Sequence, residues 1–464
     1  MHGRRLFELS IDKTGCFDYV VHTGSGYKRR DIGMKKEVCI VLAVVVCMFS
    51  SVYAQGPLAP PGAPNPSMVT LSQLNARQDI MLSMIRASEP RTPITHVPYT
   101  ITASGSYYLT TNMTCLVPTN GISVHADNVV IDLCGFTLNG GQIGEYGIQQ
   151  PYGNNNLIVH NGIITGWTDW GIYAFGLFNS FRGVTVVGCV NGLYSGYNAT
   201  AIECMAVSNV CPSDNSYGIQ MRGNAIVSKC VASYNGGNGE DVYGIRVTGW
   251  SLVIDCISEY NTSQGARAYG IEAARQCLIK NCNVNNNMSD DYYGAGIFCD
   301  VNAHIESCNV ISNGSTGSSR SGYGIYASYG SQVRECTVAR TRGSTTLSGG
   351  IIVQAHSRVA DCISYSNDYN GIVARGHSQF INNSSFDNGQ NGLYVSSAAG
   401  NRVEGNHCTG NARYGIEISS DSNLVVRNSC SANTLGDFND SGTDNMLGPV
   451  ATSMTNHPWA NFSL

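Results

Sequence analysis

The chain has 464 residues, a formal net charge of −5 and only 13% charged residues, with 53 glycines and 42% hydrophobic residues. That balance leaves no basic stripe to neutralise phosphates, so nucleic acid is not an expected partner. The hydrophobic content excludes global disorder, and the length allows a large core or several domains.

In chain order, the first marked segment is 34–56, MKKEVCIVLAVVVCMFSSVYAQG. Two lysines precede an apolar run from Val38 to Phe49, and Val52 and Ala54 provide the −3 and −1 positions of a cleavage site. This reads as a signal peptide over 34–54, cleaved after Ala54, with a buried core segment as the competing reading. The run is too short to span a bilayer permanently, so no transmembrane anchor is expected in the mature chain. A signal belongs at a start, so Met34 is the expected start and 1–33 an upstream over-extension. The mature chain is then secreted, periplasmic or on the cell surface. Leaving out Cys16, Cys39 and Cys47 from 18 cysteines gives 15, which cannot all pair within one chain.

Residues 55–66 form a Pro-rich linker and 67–98 an N-terminal helix or cap. Leu71, Leu74, Met81 and Ile85 have a/d-like spacing interrupted by Gln78. A cap over the first coil is the favoured reading, and a short stalk making a homotrimer is the alternative.

Over 99–435 a glycine followed by Ile or Leu recurs thirteen times, from Gly121 to Gly415, at intervals of 21 to 28 residues. Apolar and polar residues alternate after each glycine, as in Ile245 and Val247 against Arg246 and Thr248. No helical period competes. Short strands at this repeat length imply an all-β fold: a single-stranded parallel β-helix of about 13 coils, roughly 60 Å long at the strand spacing, with its interior filled by side chains. Residues 436–464 are the expected C-terminal cap. Cys204, Cys230, Cys256, Cys282, Cys308, Cys336 and Cys362 each lie twelve residues after their glycine, and Asn383 takes that place next. They predict a vertical ladder in which Val253 and Cys256 point inward and Asp255 outward. Metal binding and disulfide stapling compete with buried free thiols; a line of identical residues lacks tetrahedral spacing, and parallel Cβ vectors hinder disulfides, so free thiols are favoured.

The segments YTITASGSYYLTTNMT (99–114) and NGISVHADNVVIDLCGFTLNG (120–140), flanked by EPRTPI (89–94) and PWANFSL (458–464), resemble bacterial secreted right-handed parallel β-helix repeat proteins of the pectate-lyase-like fold. The resemblance implies the handedness and leaves the activity open, since most of that group has no assigned reaction. Better-understood relatives cut or remodel acidic polysaccharides, but their motifs are not intact. Asp290-Asp291 stands in SDDYYG without Asn-Thr-Asp or Gly-His-Gly, and RGHSQ around His377 lacks the second glycine.

Function must then be argued from surfaces. The outward place two residues after each glycine reads Tyr173, Tyr194, Gln220, Arg246, Glu272, Phe298, Tyr326, and Arg222 and Asp300 stand two further along. Aromatic faces stack on sugar rings, so Tyr173, Tyr194, Phe298 and Tyr326 are candidate binding residues. Arg222, Arg246, Glu272 and Asp300 are candidate catalytic residues, the carboxylates as acid and base or calcium ligands and the arginines as proton acceptors or uronate partners. The favoured alternative is a solvated face with lateral charge pairs. A second rim holds Glu240, Asp241, Arg267, Asp290, Asp291 and Arg320; Asp241, Arg267, Asp291 and Arg320 are its candidate binding residues, against a reading as surface ion pairs. Tyr217, Tyr243 and Tyr269 read as corner packing, and the histidines share no column. The leading expectation is a secreted protein binding carbohydrate or a cell-surface polymer. The alternatives are a polysaccharide lyase or glycoside hydrolase, or a structural adhesion rod. No cofactor is expected, with calcium only for a lyase, and no metal site.

Overall fold

A computed structural model describes residues 7–11, 17–23, 26–29 and 90–464. Phe7–Ile11, Phe17–Thr23 and Gly26–Arg29 form a three-stranded antiparallel sheet within a unit separate from 89–464. The segments expected as a signal peptide (34–54) and a linker (55–66), and residues 67–89 of the expected N-terminal helix or cap, lie outside the described residues. Among the described residues there is no α-helix, and none long and apolar enough to cross a membrane.

Residues 92–463 are a parallel β-solenoid. One coil shows how it is built. Val242–Val247 runs along the first face; the chain turns at Trp250, runs through Leu252–Ile254, turns at Asp255, continues through Ile257–Glu259, turns at Tyr260 and closes through Thr262–Ser263. All three corner residues have φ between 55° and 59°. Every strand pairs with its counterpart one coil on, as Ile245↔Ile271 and Val253↔Ile279. The first face is a 15-stranded sheet, in which the thirteen glycine-marked strands are extended by one at each end. The second and third faces join into a 30-stranded sheet, because Leu157–Thr165 and Ser180–Val187 run through both.

The coil stack passes both boundaries drawn from the sequence. Thr92–Ile94 pairs with Gly105–Leu109, ahead of residue 99. Gly436–Asp440 pairs in register with Tyr414–Ile418, and Asn461–Ser463 with Ser429–Ser431, so 436–464 supplies further strands of the same sheets. The glycine signal is lost there while the backbone ladder persists.

The recurrent glycine has an inward cause. A Cβ on Gly244 would collide with Ser258 Oγ and lie 2.5 Å from Asn261 Nδ2. Those side chains are buried and bonded: Ser258 Oγ donates to Gly270 O at 2.6 Å, and Asn261 Nδ2 donates to Asn287 Oδ1 at 2.7 Å. Asn209, Asn235, Asn261, Asn287 and Asn313 form a column in which each amide bonds the next. Burial of an amide costs free energy unless its donors and acceptor are filled, and stacking fills them.

The cysteine ladder lies at the neighbouring corner. Each of the seven thiols is buried and free, and directs its hydrogen to backbone carbonyls, as Cys256 Sγ to Ile254 O at 3.3 Å. After Cys362 the column continues as Asn383, Asn406, Asn428 and Asn461, joined by amide bonds of 2.9 to 3.0 Å. Val253 and Cys256 point inward and Asp255 takes the left-handed corner, as expected.

Candidate functional site

The outward column of the first face is continuous in register: Tyr173↔Tyr194↔Gln220↔Arg246↔Glu272↔Phe298↔Tyr326. Its centre is an ion pair. Arg246 Nε and Glu272 Oε2 lie 2.5 Å apart, with side chains 29% and 22% exposed. Arg246 also donates to Tyr217 OH at 3.2 Å and lies over the Tyr243 ring at 4.6 Å. Burial pushes the Glu272 carboxyl above its usual range, against the pull of Arg246. Asp300 is exposed one place past the end of its face strand and makes no ion pair among the described residues. Glu272 and Asp300 therefore do not form a pair of free carboxylates.

Two aromatic groups flank this centre. Phe298 stacks on Tyr326 at 4.9 Å, and the Tyr326 hydroxyl accepts from Gln354 at 2.8 Å. At the other end Tyr173 stacks on Tyr194 at 4.8 Å, with Trp170 and Phe175 tilted against them. Arg222 lies over the rings of Phe175, Tyr194 and Tyr197 at 4.9, 5.8 and 5.7 Å. Its guanidinium has no carboxylate partner among the described residues, unlike that of Arg246. Around it Tyr152 and Tyr197 are 84% and 47% exposed.

Behind the strip, Tyr217, Tyr243 and Tyr269 stack at 5.1 and 5.2 Å, the last two buried, so the tyrosine column is packing. The loop rim pairs across coils: Arg267 Nε lies 3.2 Å from Asp241 Oδ1, and Arg320 lies 3.8 Å from Asp291. Asp241 also accepts from Tyr243 OH at 3.0 Å, and Arg267 donates to Tyr293 OH at 2.9 Å. Among the described residues no three metal-ligating side chains converge.

Three features were missed in the sequence. Asp169, directly before Trp170, is half-buried; burial pushes its carboxyl up despite hydrogen bonds from Tyr146 and Asn191. The acid two places before Gly171 was a visible signal. Phe178 and Trp250 occupy left-handed corner places at φ 60° and 59°, where Asn198, Asn224 and Asn302 stand in other coils, and they are 58% and 60% exposed. Finally, a cleft opens on the same face at Asn391, Tyr394 and Glu417; the last two stand in the outward place two residues after Gly392 and Gly415, a signal the sequence carried. A wider apolar cavity lies away from the strip, near Leu424, Met446 and Trp459.

A family model described as a right handed beta helix region matches residues 323–443. Residues 92–463 form a right-handed parallel β-helix. No curated protein sequence matches it. Solved structures similar to this β-helix include the A-module of a mannuronan C-5 epimerase from Azotobacter vinelandii, at 14% identity over 78% of this chain and 91% of that one, with a TM-score of 0.35. Another is a periplasmic alginate epimerase, at 11% identity over 88% and 100%, TM-score 0.35. A third is a tailspike protein of E. coli bacteriophage HK620 in complex with a pentasaccharide, at 14% identity over 96% and 81%, TM-score 0.32. The neighbours of the β-helix thus include proteins that act on or bind carbohydrate.

Proposed function

We propose that this β-helix is an extracytoplasmic polysaccharide-binding protein whose contact surface is the face from Tyr173 to Tyr326. The observation that carries the reading is Arg222, a guanidinium held over three aromatic rings without a carboxylate partner among the described residues. Its five N–H donors suit sugar hydroxyls or a sugar carboxylate, and the exposed rings of Tyr152 and Tyr197 offer flat apolar area to the C–H face of a pyranose. An exposed aromatic patch of this kind is what a soluble chain keeps for contact. The signal segment 34–54 supports a location outside the cytoplasm. Binding without cleavage is favoured over hydrolysis, because Glu272 is committed to Arg246 and hydrolysis needs two available carboxyl groups.

The test is native electrophoresis of the mature chain through gels containing alginate, polygalacturonate, xylan or a mixed-linkage β-glucan. The expected result is retardation by at least one polymer, reduced in Arg222→Ala and Tyr173→Ala variants that retain the wild-type circular dichroism. Unretarded migration in every gel would overturn the reading, as would retardation unchanged in both variants.

A further inference from the structure

We infer that the cleft around Asn391, Tyr394 and Glu417 is a second subsite on the same face, which takes one neutral pyranose ring of the bound polysaccharide; this rests on the binding function proposed above. The outward column runs on from Tyr326 through Ile352, Val373 and Tyr394 to Glu417. Glu417 therefore stands in the same place as Glu272, six coils further along, about 29 Å at the strand spacing.

The two carboxylates have different surroundings. Glu272 is closed in by Arg246 and the packed tyrosines. Glu417 also has an arginine partner, Arg413, and its side chain is 13% exposed, but it lines a concavity walled by Tyr369 and Tyr394. Both rings are held by their hydroxyls: Tyr369 OH donates to Ser344 O at 3.1 Å, and Tyr394 OH accepts from Ser419 Oγ at 3.2 Å. The floor is preorganised. Asn391 Nδ2 donates to Glu417 Oε2 at 2.6 Å and to Asn370 Oδ1 at 3.1 Å, and both asparagines are buried. Glu417 keeps Oε1 as a further acceptor, and Arg413 and Gln390 supply donors at the mouth. An acceptor beside donors, between aromatic walls, matches adjacent hydroxyls on a sugar ring.

The charge selects the ring. Arg413 Nη1 lies 3.8 Å from Glu417 Oε2, so the cleft carries no net positive charge to attract a uronate, and Glu417 would repel one. A neutral ring is the fitting occupant. A polymer long enough to reach from Arg222 to Glu417 would gain affinity by linkage of the two sites.

The test uses the mature chain and two readouts. In saturation-transfer NMR the probes are the methyl β-glycosides of glucose, galactose, mannose and N-acetylglucosamine. At least one is expected to give a signal that survives in Arg222→Ala and is lost in Glu417→Gln, a variant that keeps an oxygen acceptor for Asn391. Gel retardation by the polymer that binds the wild type is expected to weaken on the order of tenfold in Glu417→Gln, through loss of the linked second site. No glycoside signal, or a signal unchanged in Glu417→Gln, would overturn the inference. Retardation lost in Arg222→Ala but unchanged in Glu417→Gln would leave the platform standing and remove the cleft. A Glu417-dependent glycoside signal with retardation indifferent to Arg222→Ala would remove the platform and keep the cleft.

Discussion

Arg246 and Glu272 meet across adjacent coils, Nε to Oε2 at 2.5 Å, in the middle of the aromatic strip. The contact converts what could be an acid and a base into a structural tie. Removing one partner strands the other half-buried, so Arg246→Ala is expected to lower stability by about 2 kcal/mol at neutral pH. Adding Glu272→Gln should recover part of that loss, measured as a double-mutant cycle in urea. The pH dependence follows from Glu272. Its folded carboxyl lies above the ordinary 4.5 because of burial. Below 4.5 it is neutral in both folded and unfolded chains, so Arg246→Ala carries little charge penalty there; the deficit grows as pH rises through the folded value. A deficit as large at pH 4 as at pH 8 would refute the assignment.

Trp250 adopts the left-handed corner conformation with its ring 60% exposed. A bulky side chain there is unfavourable by about 1–2 kcal/mol, whereas asparagine tolerates it and fills the same place at Asn224 and Asn302. Trp250→Asn is expected to unfold at an equal or higher urea concentration. A less stable variant would mean that the ring contributes packing.

The asparagine column is expected to be intolerant in its middle. Asn287 Oδ1 accepts from Asn261 N at 3.2 Å and Nδ2 at 2.7 Å, and its own Nδ2 donates to Ser258 O at 2.9 Å and Asn313 Oδ1 at 2.9 Å. Asn287→Ala leaves several buried groups unpaired, with an expected cost of about 2–3 kcal/mol in equilibrium unfolding. Asn445→Ala, in a partly exposed place near the end of another column, is expected to cost less than half as much.

Asp132 anchors the first coils. Burial acts to raise its carboxyl, but the Cys134 N–H, His160 and Arg91 outweigh it and hold the group below the ordinary 3.8. Arg91 Nη1 lies 2.7 Å from Asp132 Oδ2. A depressed carboxyl contributes stability above its unfolded value that is lost as pH falls through the folded one. Asp132→Asn should therefore be about 1 kcal/mol less stable at pH 7, and the gap should close below pH 3.8. Thermal midpoints between pH 2 and 7 check both statements.

The coil architecture was legible because it rests on short-range steric rules repeated many times. Alternation sets which side chains point inward, the glycine clears space for Ser258 and Asn261, and the fixed return of Cys256 and its counterparts sets the corner. The same rules placed Arg246 beside Glu272, since column neighbours are one coil apart. They did not show that the coils continue past residue 435, where Asp437 takes the glycine place while backbone pairing carries on. Nor did they place Arg222 over Phe175, Tyr194 and Tyr197, or bring Asn391 and Arg413 onto Glu417. By itself the sequence determined the backbone path and the inward or outward sense of residues within the glycine-marked coils, because a period of two and a steric exclusion are local. Only the tertiary structure decided which outward charges stay open, because the tip of a long side chain settles against neighbours from several coils at once.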